Sequence, residues 1–373
     1  QKQDETSHSE NEIGEKVKNI KNAGQYYAPV IKSCNVSLAK IDGDELEKCD
    51  FIKNERLESY ETNKIRYVGK NTFGKELLEL YKKRPTQIIK TLLHNYRRLL
   101  LGFDKLNKAG IIHYDIKDNN IMCDDKTKNP IIIDFGLSID VNKIDEDDYS
   151  KAFYVYGPEY MPWCIDIVFL SYYSRELTAE TETVKMSVGF MDIDSEPTGI
   201  KEDNLVKVEE VKKILNDYYK KNYILMLLTE DEKRKYRDTM DEYFGKMIGK
   251  TWKNLRTELL ENKMSWDNYG VAVMLLLNLY DLQISTIKED DGDAYIFFEY
   301  TNMLKEIILT EPSNRANCEE TRLLLNKIRV SKKKYEELKK NISYQASMEG
   351  SYEKVEKSIL ETNRVVPIRK RIM

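Results

Sequence analysis

Three histidines in 373 residues are too few for most metal clusters, and the five cysteines (Cys34, Cys49, Cys123, Cys164, Cys318) contain no Cys-x-x-Cys pair. That usage argues against a disulfide framework and points to a reduced, cytosol-like compartment. Long apolar runs are also missing. The longest, Val271–Leu277, is the size of a core-helix segment and well short of the roughly 20 residues that span a bilayer. No secretory leader is visible, and no Gly-x-Gly-x-x-Gly occurs to bring backbone amides close to phosphates. Neither sign of charge dominates: 60 basic against 64 acidic residues leave −4, so no global field favours nucleic acid or a membrane. What is present, 41% hydrophobic and 33% charged residues, is enough for two lobes or domains with sizeable cores.

Along the chain, residues 1–11 are polar and read as disordered, and Ile13, Val17 and Ile20 then recur at near-helical spacing up to the stop signal Asn22-Ala23-Gly24. Residues 26–41 are β-rich, 42–63 form a charged loop or peripheral insertion, 65–68 read as a strand, and Gly69 and Gly74 bracket a turn. Between Thr86 and Lys108 the residues Ile88, Ile89, Leu92, Tyr96, Leu99, Phe103 and Leu106 share one face, which predicts a helix ended by Gly110. Residues 171–264 are Lys/Glu-rich and largely helical, with Thr229 and Glu232 spaced as a capping box. Residues 265–282 read as a long apolar helix, and 310–328 as another after Pro312. The final stretch, 331–373, carries 11 Lys/Arg against 6 Asp/Glu.

Residues 111–136, IIHYDIKDNNIMCDDKTKNPIIIDFG, concentrate the chemistry. They hold His-x-Asp-x-Lys-x-x-Asn, a short gap, and Asp-Phe-Gly after the apolar strand Ile131-Ile132-Ile133. Phosphoryl transfer needs a carboxylate for the hydroxyl proton, a cation near the moving group and oxygen ligands for Mg²⁺. Asp115, Lys117, Asn120 and Asp134 offer these in order, and Lys117, two residues on, points the same way as Asp115. Any one of these residues is as readily a helix cap or turn residue; the constellation is what carries weight.

The stretch resembles the eukaryotic-type protein kinase superfamily. The resemblance implies that Asp115 is the base, that Lys117 stabilises the γ-phosphoryl, that Asn120 and Asp134 hold Mg²⁺ and ATP, and that His113 and Phe135 pack to pose the loop. Three distant segments are similar to family landmarks: Gly157-Pro158-Glu159 to the end of the activation segment, Asp267–Ala272 to the start of the central large-lobe helix, and Glu311–Arg315 to the segment whose arginine pairs with the activation-segment glutamate. A buried Glu159–Arg315 ion pair is therefore expected. Lys117 resembles Ser/Thr rather than Tyr kinases.

Several positions depart from the family. Tyr114 stands where an arginine that docks a phosphorylated loop is usual, and Ala152 stands where a threonine is common, so activity is expected without that switch. Asp145–Asp148 could supply some of the missing phosphate charge, although a solvated loop is favoured. About 95 more residues separate Glu159 from Asp267 than in the family, and with Tyr160-Met161-Pro162-Trp163 this resembles the divergent kinases of large cytoplasmic DNA viruses. No Val-Ala-x-Lys is evident. With 13–20 as the regulatory helix, Glu12 or Glu15 is its ion-pair glutamate; the disfavoured register uses Lys40 with Glu55. His8 and His94 read as surface or helix-face residues.

These readings converge on an α+β, two-lobed protein kinase-like fold with a small, truncated N-lobe and an enlarged helical C-lobe. Its divisions are a disordered 1–11, a partial N-lobe over 12–70, a C-lobe over 71–328 with a helical insertion at about 171–264, and a basic tail over 329–373. The implied activity is ATP/Mg²⁺-dependent transfer to Ser/Thr hydroxyls of a protein substrate, in the cytoplasm (host cytoplasm or virion for a viral protein). The alternative is a pseudokinase scaffold. Contact of the tail with nucleic acid or membrane is the less favoured reading against a solvated or docked helix.

Overall fold

The computed structural model describes residues 5–37, 59–144, 149–178, 199–282 and 291–325. Lys40, Glu55, Asp145–Asp148 and the basic tail lie outside them. The first helix, α1 (Glu5–Lys18), starts inside the stretch expected to be disordered and buries Ile13 and Val17. Strands β1 (Val30–Ser37) and β2 (Ser59–Ile65) pair antiparallel, so the strand expected at 65–68 ends where it was to begin. Ile31 and Ile65 stay about half exposed, at 49% and 52%.

The linker after β2 is tightly held. Cys123 N–H donates to Asn71 O at 3.0 Å and Asp125 N–H to Val68 O at 3.3 Å. A Cβ on Gly69 would lie 2.0 Å from Cys123 O, so only glycine permits this crossing. Helix α2 (Phe73–Lys83) follows, with the Thr72 hydroxyl accepting from Lys75 N–H as its N-cap. Helix α3 (Ile88–Lys108) buries the predicted stripe Leu92, Tyr96, Leu99, Phe103 and Leu106.

Two short antiparallel pairs then frame the loops that matter. β3 (Ile111–Ile112) pairs with β6 (Ile139–Asp140), and β4 (Ile121–Cys123) pairs with β5 (Pro130–Ile132). Between β3 and β4 runs loop 113–120, and between β5 and β6 runs loop 133–138. After α4 (Tyr149–Ala152) the chain is helical: α5 (Ile165–Thr178), α6 (Val208–Lys221), α7 (Glu230–Gly245), α8 (Trp252–Glu261), α9 (Trp266–Asp281), α10 (Asp291–Leu309) and α11 (Cys318–Leu325). The capping box at the start of α7 is present, with Glu232 N–H donating to Thr229 Oγ1 at 3.0 Å and Thr229 N–H to Glu232 Oε2 at 2.7 Å.

Helices α6–α8 share one apolar core with the rest, which reaches from Ile13 to Leu325. Aromatic contacts dock them: Phe169 stacks on Phe244 at 3.9 Å and Tyr173 on Trp252 at 5.3 Å. At the centre lies α9, buried at every position from Trp266 to Leu279, as an all-round apolar helix must be. Gly270 lets it approach the 113–120 loop, since an added Cβ would sit 3.1 Å from Ile116. Among the described residues no helix is long and apolar enough to cross a membrane.

The expected Glu159–Arg315 pair is not formed. Arg315 instead binds Asp166, with Nη1 at 3.1 and 3.2 Å from the two carboxylate oxygens and side-chain exposures of 1% and 0%. Trp266 Nε1–H donates to the same carboxylate at 2.7 Å, and the guanidinium lies 5.1 Å over the Tyr269 ring. Asp166 wins because it sits in the first turn of α5, where the helix N-terminus favours a carboxylate, facing the start of α9. Glu159 stays in the preceding turn, and its burial pushes the carboxyl above its ordinary value. Breaking one side of a buried pair strands the other charge. Asp166→Asn and Arg315→Met are each expected to cost about 3–5 kcal/mol in urea unfolding, whereas Glu159→Gln is expected not to lower stability.

Candidate active site

The 113–120 loop is hung from α9 by one carboxylate. Asp267 Oδ2 accepts from His113 N–H and from Asn107 Nδ2, each at 3.0 Å, and Oδ1 accepts from Tyr114 N–H at 3.2 Å. Burial pushes this carboxyl above its ordinary value, against the opposing pull of the facing His113 and the three hydrogen bonds. His113 donates Nε2–H to Ile133 O at 3.0 Å, and its ring meets Phe135 at 5.3 Å and Phe103 at 5.9 Å. This single buried side chain ties the first loop to the second. Tyr114, at the position expected to hold arginine, turns its ring into the interior, 4.9 Å from Trp163, whose Nε1–H donates to Tyr114 O at 3.0 Å.

Two non-glycine residues here adopt left-handed backbone, Tyr114 at φ 69° and Asp134 at φ 62°. Such conformations persist only where the surroundings over-determine them, and they cluster at functional sites. At Tyr114 the constraint is visible: Asp267 grips its amide and that of His113 before it, and Trp163 holds its carbonyl.

Asp115 is 3% exposed and saturated with donors. Its Oδ2 accepts from Lys117 Nζ and from Asn120 Nδ2, both at 2.9 Å, and its Oδ1 accepts from the Tyr160 hydroxyl. Asn120 Nδ2 also donates to Asp115 O at 2.9 Å, while Asn120 O receives Ile133 N–H at 2.9 Å. The last bond sets the residue before Asp134 against the Asn120 backbone. Asp134 itself is exposed, and its Oδ1 accepts Gly136 N–H at 3.3 Å. The structure thus brings Asp115, Lys117 and Asn120 into one hydrogen-bonded cluster, with Asp134 on the adjoining loop.

The oxygens left over suit a hard cation. Asn120 uses only its amide nitrogen in the described side-chain bonds, leaving Oδ1, and Asp134 keeps Oδ2. Among the described residues no group of three or more His, Cys, Asp or Glu could cage a metal. A shared site, in which one carboxylate and one amide oxygen complement water and phosphate oxygens, is what Mg²⁺ commonly takes. For the organic part of a nucleotide less is on hand. Glu12 pairs with Lys143 and Glu15 with Lys18 at the surface, so neither forms a buried lysine pair. Helix α1 nonetheless reaches the site region, as Lys16 bonds Asp140 on β6.

Sequence reasoning missed three residues. Asp166 was hidden by the nearer match at Glu159. Asp118, lining a cavity of about 260 Å³ beside Lys117 with Leu78, Met274 and Leu277, accepts Gly74 N–H, and burial pushes its carboxyl up. Tyr160 gave no spacing signal, being 45 positions from the carboxylate it meets.

Residues 55–164, which take in both loops, match the family model of the protein kinase domain. The chain is 35% identical over 106 residues to a "Striated muscle preferentially expressed protein kinase" from Danio rerio, covering 28% of this chain and 3% of that protein. It therefore spans a small part of that relative's length. The mixed helix–strand architecture fits an α+β kinase-like fold.

Asp267→Asn replaces an acceptor by a donor facing three donors. Amide exchange at His113 and Tyr114 is expected to speed up at least tenfold, in step with the about 1–3 kcal/mol cost of unsatisfied buried groups; hydrogen-exchange mass spectrometry reads this directly.

Proposed function

We propose that this chain, whose residues 55–164 belong to the eukaryotic-type protein kinase superfamily, is an ATP- and Mg²⁺-dependent protein kinase acting on serine or threonine hydroxyls. The observation that carries the reading is the cluster in which Asp115 accepts both Lys117 Nζ and Asn120 Nδ2 at 2.9 Å. Asp115 takes the proton of the attacking hydroxyl. Lys117, fixed beside it, offsets negative charge that builds on the transferred group. Asn120 Oδ1 and the Asp134 carboxylate hold the metal. Bound MgATP supplies the phosphoryl group and charge neutralisation on its oxygens. The 260 Å³ cavity beside Lys117 is open to a side chain of the protein substrate.

In this reading residues 12–70 are part of the smaller lobe, 71–328 form the larger one with the 171–264 helices added to its core, and 329–373 are a tail. The placement of α1 against β6 supports its role as the regulatory helix. The Lys117 position supports Ser/Thr over Tyr specificity by resemblance. A pseudokinase scaffold is the second reading, favoured by the surface pairing of Glu12 and Glu15 and by the lack of a glycine-rich loop in the sequence.

One assay decides between them: Mg²⁺-dependent ATP binding and phosphoryl transfer to a mixed Ser/Thr protein substrate. Asp115→Asn is expected to lower transfer by about 10²–10⁴-fold with ATP binding retained, the usual weight of a general base. Asp134→Asn is expected to remove the Mg²⁺-dependent part of ATP binding. Absence of both binding and transfer in the unmutated chain sinks the kinase reading.

A further inference from the structure

The Asp115 carboxylate has few places left for a substrate. Its Oδ2 already receives two donors, Lys117 Nζ and Asn120 Nδ2, which use both lone pairs of that oxygen. Its Oδ1 receives the phenol of Tyr160. A hydroxyl about to be phosphorylated has to give its proton to this carboxylate, and it must reach Oδ1 to do so. The group already there is itself a hydroxyl, on the side chain of one of the three protein residues that kinases of any class can phosphorylate.

Tyr160 is well placed for this. Tight turns on either side hold it, with Tyr160 N–H donating to Gly157 O at 3.1 Å and Trp163 N–H to Tyr160 O at 3.0 Å. Its ring stands edge-on to Trp163 at 5.0 Å, and Trp163 is fastened to the carbonyl of Tyr114, next to Asp115. Burial, followed by the charge of Asp115 and the hydrogen bond to it, raises the phenol well above its ordinary value, so it stays a protonated donor. Unlike Tyr96 and Tyr114, whose buried hydroxyls have no partner among the described residues, Tyr160 spends its proton on the candidate base.

Resting on the kinase reading above, we propose that Tyr160 is a built-in stand-in for the substrate hydroxyl: its phenol sits on Oδ1, the one oxygen of Asp115 with an acceptor position still open, and transfer to a protein proceeds against its competition. A protein substrate then shares or takes over that oxygen, and its apparent affinity carries the cost of weakening the phenol–carboxylate bond.

Tyr160→Phe removes the hydroxyl and keeps the ring against Trp163. Steady-state transfer from MgATP to a degenerate Ser/Thr peptide library separates the outcomes. The variant is expected to raise kcat/KM for peptide by about tenfold or more, the scale of a hydrogen bond to a charged group, through a lower peptide KM with the ATP KM unchanged. A merely structural tyrosine moves kcat or stability and leaves the peptide KM alone. Transfer by the variant and not by the parent chain supports the proposal most strongly. Equal or reduced kcat/KM in the variant overturns it and leaves the kinase reading standing, whereas no transfer by either chain overturns both. A turnover-free check uses ¹³Cζ-labelled tyrosine: the Tyr160 resonance is expected to shift in Asp115→Asn, and an unchanged resonance overturns the occupancy.

Discussion

The carboxylate of Asp267 is the point from which the site hangs. A charge buried in the first turn of a fully buried helix is costly unless its oxygens are filled, and here three N–H donors fill them. Two of those donors are consecutive backbone amides of the loop that carries Asp115. The cost of burying the charge and the order of the loop are thus one transaction. His113, held at its amide by Asp267, holds Ile133 in turn through its ring, so the second loop is positioned at one remove by the same carboxylate.

Around that anchor the fold reads as a set of supports. Gly270 removes a side chain so that α9 can lie against Ile116. Asp166, Arg315 and Trp266 fasten the same N-terminal end of that helix with a buried ion pair. The helices α6–α8 thicken this centre through stacked aromatics. Rigidity gathers around the hydrogen-bonded cluster of Asp115, Lys117 and Asn120.

Much of this was legible in the sequence, for a physical reason. Side-chain periodicity and loop motifs are local, so the α3 stripe from Ile88 to Leu106, the capping box at Thr229 and the Asp115, Lys117, Asn120 spacing could be read from neighbours in the chain. Asp267 was legible as a helix start, and its role as an anchor follows from what faces it. Partner choice across long separations was not legible. Glu159 and Asp166 both offered a carboxylate to Arg315, and only the turns at 157–163 decide which one enters the core. Tyr160 was read as part of an insertion, because an aromatic residue gives no hint of where its hydroxyl will point. Helix α1 begins at Glu5 because tertiary contacts of Ile13 and Val17 outweigh a polar start.

The pinned linker at Gly69 has a mechanical meaning. Residues 68–71 are bonded to 123–125 almost as an extra rung of sheet, and the glycine leaves no slack between the chain and Cys123. That partner strand starts one residue after Asn120. Swinging β1–β2 against the helical body therefore cannot use this connection as a loose hinge: torque applied to the small sheet is delivered to β4, and through it to Asn120, whose amide holds the Asp115 carboxylate.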